Sequence, residues 1–409
     1  MGFLTFDPRN PLSNFDMHIL GLKICGLLPP DDKKKRFLYE IYSWFLVIFF
    51  LYLFIVSQIF YLATAKDLDD FANALYFFLT ELVTIPMHFQ LKKSIKVATD
   101  CIEKLSSARF LSQNDVEDGF VAWAMIRTTL FHRPSVGLCF LCLFQWSVAL
   151  FLSGNEQNSI VPAVFPFNFE AGFGFYAVWV YQLLGAGYSA VLYATFDTLV
   201  TGIYFHATAQ INRLGYHLSQ IGYQKKQKSD SKGKNGVIIV KKAPPADRQE
   251  QIKEELIDSA IHYQEILTYC ENFIETFQLA IFIQLGVSLF VLCFTLFLIM
   301  NVADGDIMAS TNILPYFVTI VYQLWQLSYT GNELSHASNK LSDAIYFANF
   351  LEFNVKNRKL MLLFMTRTMM PIKVTAKACF EIVLDIETFI AIMRASYSYC
   401  SVMKSVQGN

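Results

Sequence analysis

Four charged side chains near the C-terminus of this chain recur at a regular spacing. Lys373, Lys377, Glu381 and Asp385 follow one another every four residues, which would place them on one face of a helix. A charge inside a membrane span is unfavourable unless it faces water or a partner. The stripe therefore predicts either a helix that lines an aqueous path or a ladder of ion pairs at the membrane boundary, and the residues leave both open.

The same face continues toward the C-terminus without charge. Thr388 and Ile392 keep the spacing, and the last turns carry bulky side chains that could form a hydrophobic constriction. Because one helix cannot enclose a pore, several subunits would have to meet around an axis. The candidate pore and gate residues are Glu381, Asp385, Thr388, Ile392, Tyr399, Cys400, Val402 and Met403.

A second group of side chains is aromatic, aliphatic or sulfur-containing and lies in four other apolar runs. Large apolar side chains with few charges suit a pocket for a small apolar ligand. The alternative is that they only pack or contact lipid. The candidate ligand-binding residues are Tyr76, Phe77, Phe78, Cys139, Cys142, Trp146, Trp179, Leu183, Tyr316, Phe317 and Ile320.

Signatures of catalysis are missing from the chain. It has no Gly-rich phosphate loop, no His-Glu-x-x-His and no Gly-x-Ser-x-Gly motif. Cys139 and Cys142 lack a second Cys or His pair at metal-ligand spacing. A balance of 33 basic and 34 acidic residues gives a net charge of −1, which does not suggest a nucleic-acid partner. We therefore expect neither an enzyme nor a cofactor.

The composition indicates which kind of structure positions these candidate pore and ligand-binding residues. Hydrophobic residues make up 54% of the chain and charged residues only 16%, against about 25% charged in ordinary soluble domains. Seven apolar runs approach or exceed the roughly 20 residues that span a bilayer core, namely residues 37–63, 71–91, 135–153, 173–194, 277–303, 313–328 and 378–403. The sequence thus predicts an all-α membrane protein with seven transmembrane helices.

The positions of the cations predict the orientation of those helices. Of the 33 Lys and Arg residues, 30 lie before the first run or in the loops after the second, fourth and sixth, and cations near span ends stay on the cytoplasmic side. The N-terminus is therefore predicted inside and the C-terminus outside, opposite to G-protein-coupled receptors, whose Asp-Arg-Tyr and Asn-Pro-x-x-Tyr motifs are also missing.

This topology predicts the organisation of the whole chain. Apolar residues at a 3.6-residue period in 248–277 and 328–355 indicate helices that continue the fifth and sixth spans into the cytoplasm. The predicted parts are a cytoplasmic N-terminal segment 1–36, helices 1 to 4 in 37–206, a cytoplasmic loop 207–276 with a disordered basic insertion 223–251, helices 5 and 6 in 277–330, a cytoplasmic anchor helix 331–376, and pore-lining helix 7 with an extracellular tail in 377–409.

The block from Phe364 to Met403 resembles the C-terminal signature of insect odorant receptors. Lys377 stands where that family usually has Gly, and Gly331-Asn332-Glu333-Leu334 after the sixth run is also similar. The matching positions are Arg367, Pro371, Thr375, Ala376, Phe380, Phe389 and Ser396-Tyr397-Ser398-Tyr399.

The resemblance implies a mechanism. The chain would be a tuning subunit that assembles with the odorant receptor co-receptor into a heterotetrameric, ligand-gated, non-selective cation channel in the plasma membrane of olfactory sensory neurons. A small volatile organic ligand in the outer pocket would open a pore lined by helix 7, in contact with membrane lipid throughout. The alternatives are a seven-helix chemoreceptor that signals through an intracellular partner, or a gustatory-type receptor channel, whose C-terminal ending is missing here.

Overall fold

A computed structural model describes residues 7–30, 32–65, 68–152, 160–167, 172–223, 245–301 and 307–407. Almost all regular structure in these ranges is helical, as predicted. The helices and strands are α1 (Asp16–Ile24), α2 (Lys33–Leu46), α3 (Leu53–Leu62), α4 (Leu68–Lys104), α5 (Asp115–Leu152), α6 (Phe173–Gln220), α7 (Pro245–Asn301), α8 (Ile307–Tyr346), α9 (Val355–Thr368), β1 (Thr375–Lys377), β2 (Glu381–Val383) and α10 (Ile386–Gln407).

The first six predicted apolar runs lie in helices over the residues that the structure describes. The first run crosses α2 and α3, which are joined without a break by a π-helical turn, Val47–Tyr52. The ends of the third and fifth runs, at residues 153 and 303, lie outside the described residues. Among those described, four helical segments are long and apolar enough to cross a bilayer, namely Lys33–Leu62, Asp115–Phe151, Phe173–Gln220 and Asp247–Asn301.

Two helices are far longer than a membrane requires. The 48 residues of α6 span about 72 Å and the 57 residues of α7 about 85 Å, whereas a bilayer core is about 30 Å thick. The predicted helix over 248–277 is confirmed, and its face formed by Ile252, Leu256, Tyr263 and Leu267 is buried. Here the helices pack on each other outside the apolar runs, in what we call the charged end of the bundle.

The centre of the bundle is α6. It packs against α1, α4, α5, α7 and α8, and buried residues follow it from Val178 to Leu218. Small residues on α6 allow neighbouring segments to pack close to its backbone. A Cβ atom on Gly202 would lie only 3.0 Å from both Phe15 and Thr128, so its absence lets the N-terminal segment and α5 reach the α6 backbone.

The predicted start of helix 7 at residue 377 is wrong. Residues 375–383 form an antiparallel hairpin in which Lys377 pairs with Glu381, and α10 starts only at Ile386. Residues four apart lie on one face of a helix, but they also pair across the two strands of a hairpin when three residues form the turn between them. Alternate residues Ile372, Val374 and Ala376 are buried, the period of a strand with one face in the core.

The single anchor helix predicted over 331–376 is also wrong. α8 ends at Tyr346, and α9 begins after the cap residue Asn354, whose side chain accepts a hydrogen bond from Asn357 N at 2.8 Å. A strong N-cap starts a new helix rather than continuing the old one. The predicted apolar face of α8 is nevertheless confirmed, because Leu334, Ala337, Leu341 and Ile345 are all buried, as is Ala348 just beyond the helix.

The basic insertion predicted to be disordered over 223–251 mostly lies outside the described residues, at 224–244. Its last part, 245–251, is helical and opens α7, so the prediction is wrong there. Pro245 suits the first turn of a helix, where its missing N–H has no helical acceptor. Arg248 Nη2 donates to Gly222 O at 2.8 Å and Gln249 Nε2 to Glu352 O at 2.7 Å, which fixes this turn to its neighbours.

Candidate functional site

Four helices enclose a cavity of about 70 Å³ inside the bundle. α4 contributes residues three and four apart, and α5, α6 and α8 each contribute residues spaced three, four and seven apart. This is the spacing of one face of a helix, so the cavity forms where four such faces converge. The lining residues are Phe77, Thr80 and Glu81 of α4, Cys139, Cys142, Leu143 and Trp146 of α5, Ala186, Ser189, Ala190 and Tyr193 of α6, and Tyr316, Thr319, Ile320 and Gln323 of α8.

One wall of the cavity is aromatic. The ring centroids of Phe77 and Trp146 lie 4.8 Å apart, those of Trp146 and Tyr316 5.5 Å, and those of Tyr76 and Tyr316 5.1 Å. Trp146 Nε1 donates to the Asn312 carbonyl at 3.3 Å. Rings at these distances form tilted or edge-to-face pairs, so three helices share a rigid apolar surface for a flat or aliphatic ligand.

The lining of the cavity also carries polar groups. Ser189 Oγ donates to the buried Glu81 carboxyl, and the Thr80 and Tyr316 hydroxyls bond to each other. The Thr319 hydroxyl donates to the Pro315 carbonyl at 2.8 Å. Buried polar groups facing a space can orient a ligand through its own hydroxyl or carbonyl. An ionisable residue at this depth of a membrane protein is a candidate functional residue.

The structure brings six of the eleven predicted ligand-binding residues to this cavity: Phe77, Cys139, Cys142, Trp146, Tyr316 and Ile320. Tyr76 packs behind it on Phe77, with ring centroids 4.2 Å apart, and Phe78 and Phe317 pack against the core at its edge. Trp179 and Leu183 face a different groove, because on α6 the residues that face the cavity begin one turn later, at Ala186.

Sequence reasoning missed the polar and small lining residues. Glu81 and Ser189 lie in apolar runs, and their spacing from Phe77 and Ala186 would have indicated the shared faces. Searching only for aromatics overlooked them. Ala190 gives no chemical signal in the sequence, and its place at the cavity depends on the packing of α6 against α5.

The residues predicted to line a pore differ widely in position. Glu381 lies in β2, and Asp385 caps α10 by accepting a hydrogen bond from Thr388 N at 2.7 Å. Cys400 is fully buried, with its Sγ 3.4 Å from Met300 Sδ of α7. Thr388, Ile392 and Met403 are half-buried, whereas Tyr399 and Val402 are 59% and 57% exposed.

The exposed face of α10 therefore includes only part of the predicted stripe. Within the described part of the helix, Glu387, Ala391, Arg394, Ser398 and Val402 are exposed and follow one another at helical spacing. They leave a continuous polar and aliphatic face that the chain itself does not cover.

A single helix links the cavity to the C-terminal hairpin. α8 carries Tyr316, Ile320 and Gln323 at the cavity and Gly331 two turns beyond. A Cβ atom on Gly331 would overlap the Leu384 carbonyl, so the backbone that leads into α10 lies directly against α8. Ser338 Oγ of α8 also accepts a hydrogen bond from Ile372 N at 2.9 Å. A shift of α8 at the cavity would be transmitted to the start of α10.

The charged end contains a second, very different polar cluster. Arg213 Nε donates to Glu117 Oε2 at 2.6 Å, with the two side chains 2% and 0% exposed. Arg109 Nη1 donates to Glu265 Oε1 at 2.7 Å. Burial, reinforced by nearby cations of which Arg213 is the strongest, lowers the pKa of His262 to about 3. These ionic groups satisfy each other and fix α5, α6 and α7 together.

Comparison with known proteins agrees with this architecture. The family model described as 7tm Odorant receptor matches residues 67–397. The chain is 26% identical to Odorant receptor Or1 of Anopheles gambiae, over 98% of this chain and 97% of that protein. It is 22% identical to Odorant receptor 46a, isoform B, of Drosophila melanogaster, over 92% of each. Its fold is similar to that of the olfactory receptor OR5 from Machilis hrabei in complex with eugenol, with a TM-score of 0.81, 12% identity and coverage of 98% and 100%.

Proposed function

Because the chain belongs to the 7tm odorant receptor family of insects, we propose that it is the odorant-binding subunit of a heteromeric, ligand-gated, non-selective cation channel. The predicted resemblance and the all-α membrane fold are confirmed. This is a family of ligand-gated channels that bind volatile ligands and act with a co-receptor.

The cavity between α4, α5, α6 and α8 carries the proposal. Its aromatic wall favours an apolar molecule, and Glu81, Ser189 and the Thr80–Tyr316 pair give that molecule an orientation. Pockets with a mostly apolar lining and a few polar groups are typical of small-molecule sites. A volatile ligand with a ring or short chain and one oxygen suits this lining best.

Channel opening would follow from the packing of α8. A benzene-sized ligand needs a cavity of about 150 Å³, exceeds the 70 Å³ present and would press on α8 through Tyr316, Ile320 and Gln323. The contact of Gly331 with the Leu384 carbonyl then shifts the hairpin and α10. Binding thus favours the state in which α10 has moved.

The pore would be lined by the exposed face of α10. Among the predicted pore residues, Val402 lies on that face and the exposed Tyr399 lies beside it, while Thr388, Ile392 and Met403 are half-buried at its border. Ser398 and Arg394 join them. Four such helices around an axis would enclose a water-filled path. Cys400 instead holds α10 against α7, through its contact with Met300.

Assembly with the co-receptor would use the charged end. Exposed apolar side chains concentrate on and around α9, although a surface that faces water is usually polar. Large exposed apolar patches mark protein interfaces. We assign the heterotetramer contact to this surface. Its most exposed members are Leu351, Val355, Leu362, Leu363, Met369 and Met370.

The orientation follows from charge. The Lys and Arg residues concentrate in the N-terminal segment and at the charged end, so that end is cytoplasmic and the C-terminus of α10 is outside. We place the chain in the plasma membrane of olfactory sensory neurons, where odorants arrive from the outer side.

Currents recorded from cells that express the chain with the co-receptor test the proposal. A broad panel of volatile compounds should elicit inward cation current, and the chain without the co-receptor serves as a control. A charged methanethiosulfonate reagent applied outside should block Ser398→Cys, which is exposed, and spare Ser396→Cys, which is fully buried on the same helix.

Silence across the panel at normal surface expression would contradict the proposal. Equal insensitivity of both cysteine variants, with an intact odorant response, would instead favour a chemoreceptor that signals through an intracellular partner. A response that needs no co-receptor would favour a gustatory-type channel.

A further inference from the structure

Two further apolar spaces adjoin the ligand cavity. One, of about 140 Å³, lies between α1, α5 and α6. The other is a groove of about 740 Å³ along α2, α5 and α6. The cavity and the smaller space share Cys139, Leu143 and Ala190. The smaller space and the groove share Phe140, Val191 and again Leu143 among their lining residues.

The groove opens on the face of α5 that the bundle leaves uncovered. Phe140, Phe144 and Phe151 at its rim are 55%, 69% and 51% exposed, and they lie in the part of α5 that is apolar enough to cross a membrane. Acyl chains are the surroundings of such side chains. The groove therefore opens to lipid, where an apolar volatile compound concentrates because leaving water is favourable.

Leu143 is the common wall of all three spaces. Its side chain passes beside the bare backbone of α6, and a Cβ atom on Gly187 would lie 3.9 Å from Leu143 Cδ1. The missing side chain at Gly187 leaves room for Leu143 to change rotamer toward the groove. With Leu143 turned aside, cavity and groove become continuous between α5 and α6.

The size of the cavity makes this wall important. At about 70 Å³ the cavity is smaller than the roughly 150 Å³ that holds a benzene-sized molecule, whereas the adjoining space adds about 140 Å³. A ligand that fills both must displace the side chain between them.

We propose that apolar ligands reach the cavity laterally from the membrane, through the groove between α2, α5 and α6, and that Leu143 is the gate of this route. The route rests on the proposed function, since it supplies the same cavity. It assigns a role to the groove that contains Trp179 and Leu183, which do not line the cavity.

Photolabelling of the full channel in membranes tests the route without needing a current. The probe is trifluoromethyl phenyl diazirine, a small apolar aromatic that partitions into lipid, and labelled peptides are located by mass spectrometry. In the wild type, label should appear both in the groove, around Phe144, and in the cavity, around Trp146 and Tyr316.

The variant Leu143→Trp should lower the rate of cavity labelling by about tenfold, since added bulk in a packed site raises the barrier to passage, while label still reaches the outer rim of the groove around Phe151. Leu141→Trp is the matched control: Leu141 is on the same helix, is 49% exposed and lines none of the three spaces. Gly187→Ala, whose added Cβ meets only ordinary contact distances, should also slow cavity labelling. A size-exclusion profile like that of the wild type shows that each variant is folded.

Two results would overturn the route. Cavity labelling at the control rate in both Leu143→Trp and Gly187→Ala would mean that ligands enter elsewhere. Label confined to the groove in the wild type would mean that the groove holds lipid only. Failure of the proposed function is separate: it appears as silence to volatile compounds, whatever the labelling pattern.

Discussion

The cavity between α4, α5, α6 and α8 and the charged end both bury polar groups in an apolar bundle, but they do so in different ways. At the charged end, Arg213 and Glu117 bind each other directly at 2.6 Å, and further partners surround them. At the cavity, Ser189 donates a hydrogen bond to Glu81, and both side chains line an open space. The difference separates two roles: polar groups that satisfy each other hold helices together, and polar groups that face a space are available to a ligand.

Breaking the ion pair of the charged end should give the largest effect. Arg213→Met leaves Glu117 buried without its cation, which costs about 3–5 kcal/mol. We expect strongly reduced surface expression and a lower Tm, measured by the temperature dependence of the size-exclusion peak.

The control is Arg36→Met, which removes an exposed pair with Glu40 and should stay near the wild type. The double variant Arg213→Met with Glu117→Leu should recover part of the loss. If Arg213→Met were as stable as Arg36→Met, the cluster would not hold the helices together.

Filling the cavity should change ligand response rather than stability. Ala190→Leu adds three carbons at the cavity wall and should raise the half-maximal odorant concentration by about tenfold, equivalent to about 1.4 kcal/mol. Dose–response currents measure this. Ala177→Leu makes the same change on an exposed face of α6 and should leave the response unchanged; equal effects of the two variants would argue against the cavity as the ligand site.

Disturbing the link between α8 and the hairpin should separate binding from opening. Gly331→Ala places a Cβ atom against the Leu384 carbonyl, and such overpacking costs about 1–3 kcal/mol. The maximal current should fall while the wild-type ligand ranking is retained. Gly286→Ala, where no atom lies within 4 Å of the added Cβ, is the control. A current that is unchanged in Gly331→Ala would place the link elsewhere.

The smallest effect concerns acidity at the charged end. The pKa of His262 is lowered from 6.5 to about 3 by burial and by neighbouring cations, so the unfolded chain binds a proton between these values that the folded chain does not. Stability contributed by the neutral imidazole is complete above pH 6.5 and is lost as pH falls toward 3.

Between pH 7.5 and 5.5 the loss from His262 should be about 1.4 kcal/mol. His262→Gln should remove it, so that Tm falls less on acidification than in the wild type. His336→Gln, at an exposed position on α8, is the matched control. An identical fall in both variants would mean that His262 does not titrate on unfolding.

Much of the fold could be predicted because lipid imposes simple rules. A membrane span needs a long apolar run, and six such runs correctly predicted helices. The 3.6-residue period of apolar residues correctly predicted the extension of α7 and the buried face of α8. The hairpin at 375–383 could not be found by searching for helices. Its signal was the alternation of Ile372, Val374 and Ala376, masked by charges whose spacing also fits a helix.

The site was predictable only in part. Phe77, Trp146 and Tyr316 were identified as large aromatics in polar-poor runs, and they do line the cavity. Trp179 was chosen on the same ground and lines the groove instead, because residue type does not tell at which depth along a helix its neighbours enclose a space. Their function as ligand contacts remains a prediction.

The sequence by itself determined the solvent of this protein, the number of its apolar runs, the side on which its cations lie and its family, because these depend on composition, local period and motif. Only the tertiary structure decided which faces meet. Convergence of four helices at one cavity, the burial of Cys400, and the contact of Gly331 with Leu384 join residues far apart in the chain. Such contacts depend on the rotation and crossing of each helix, which local sequence does not specify.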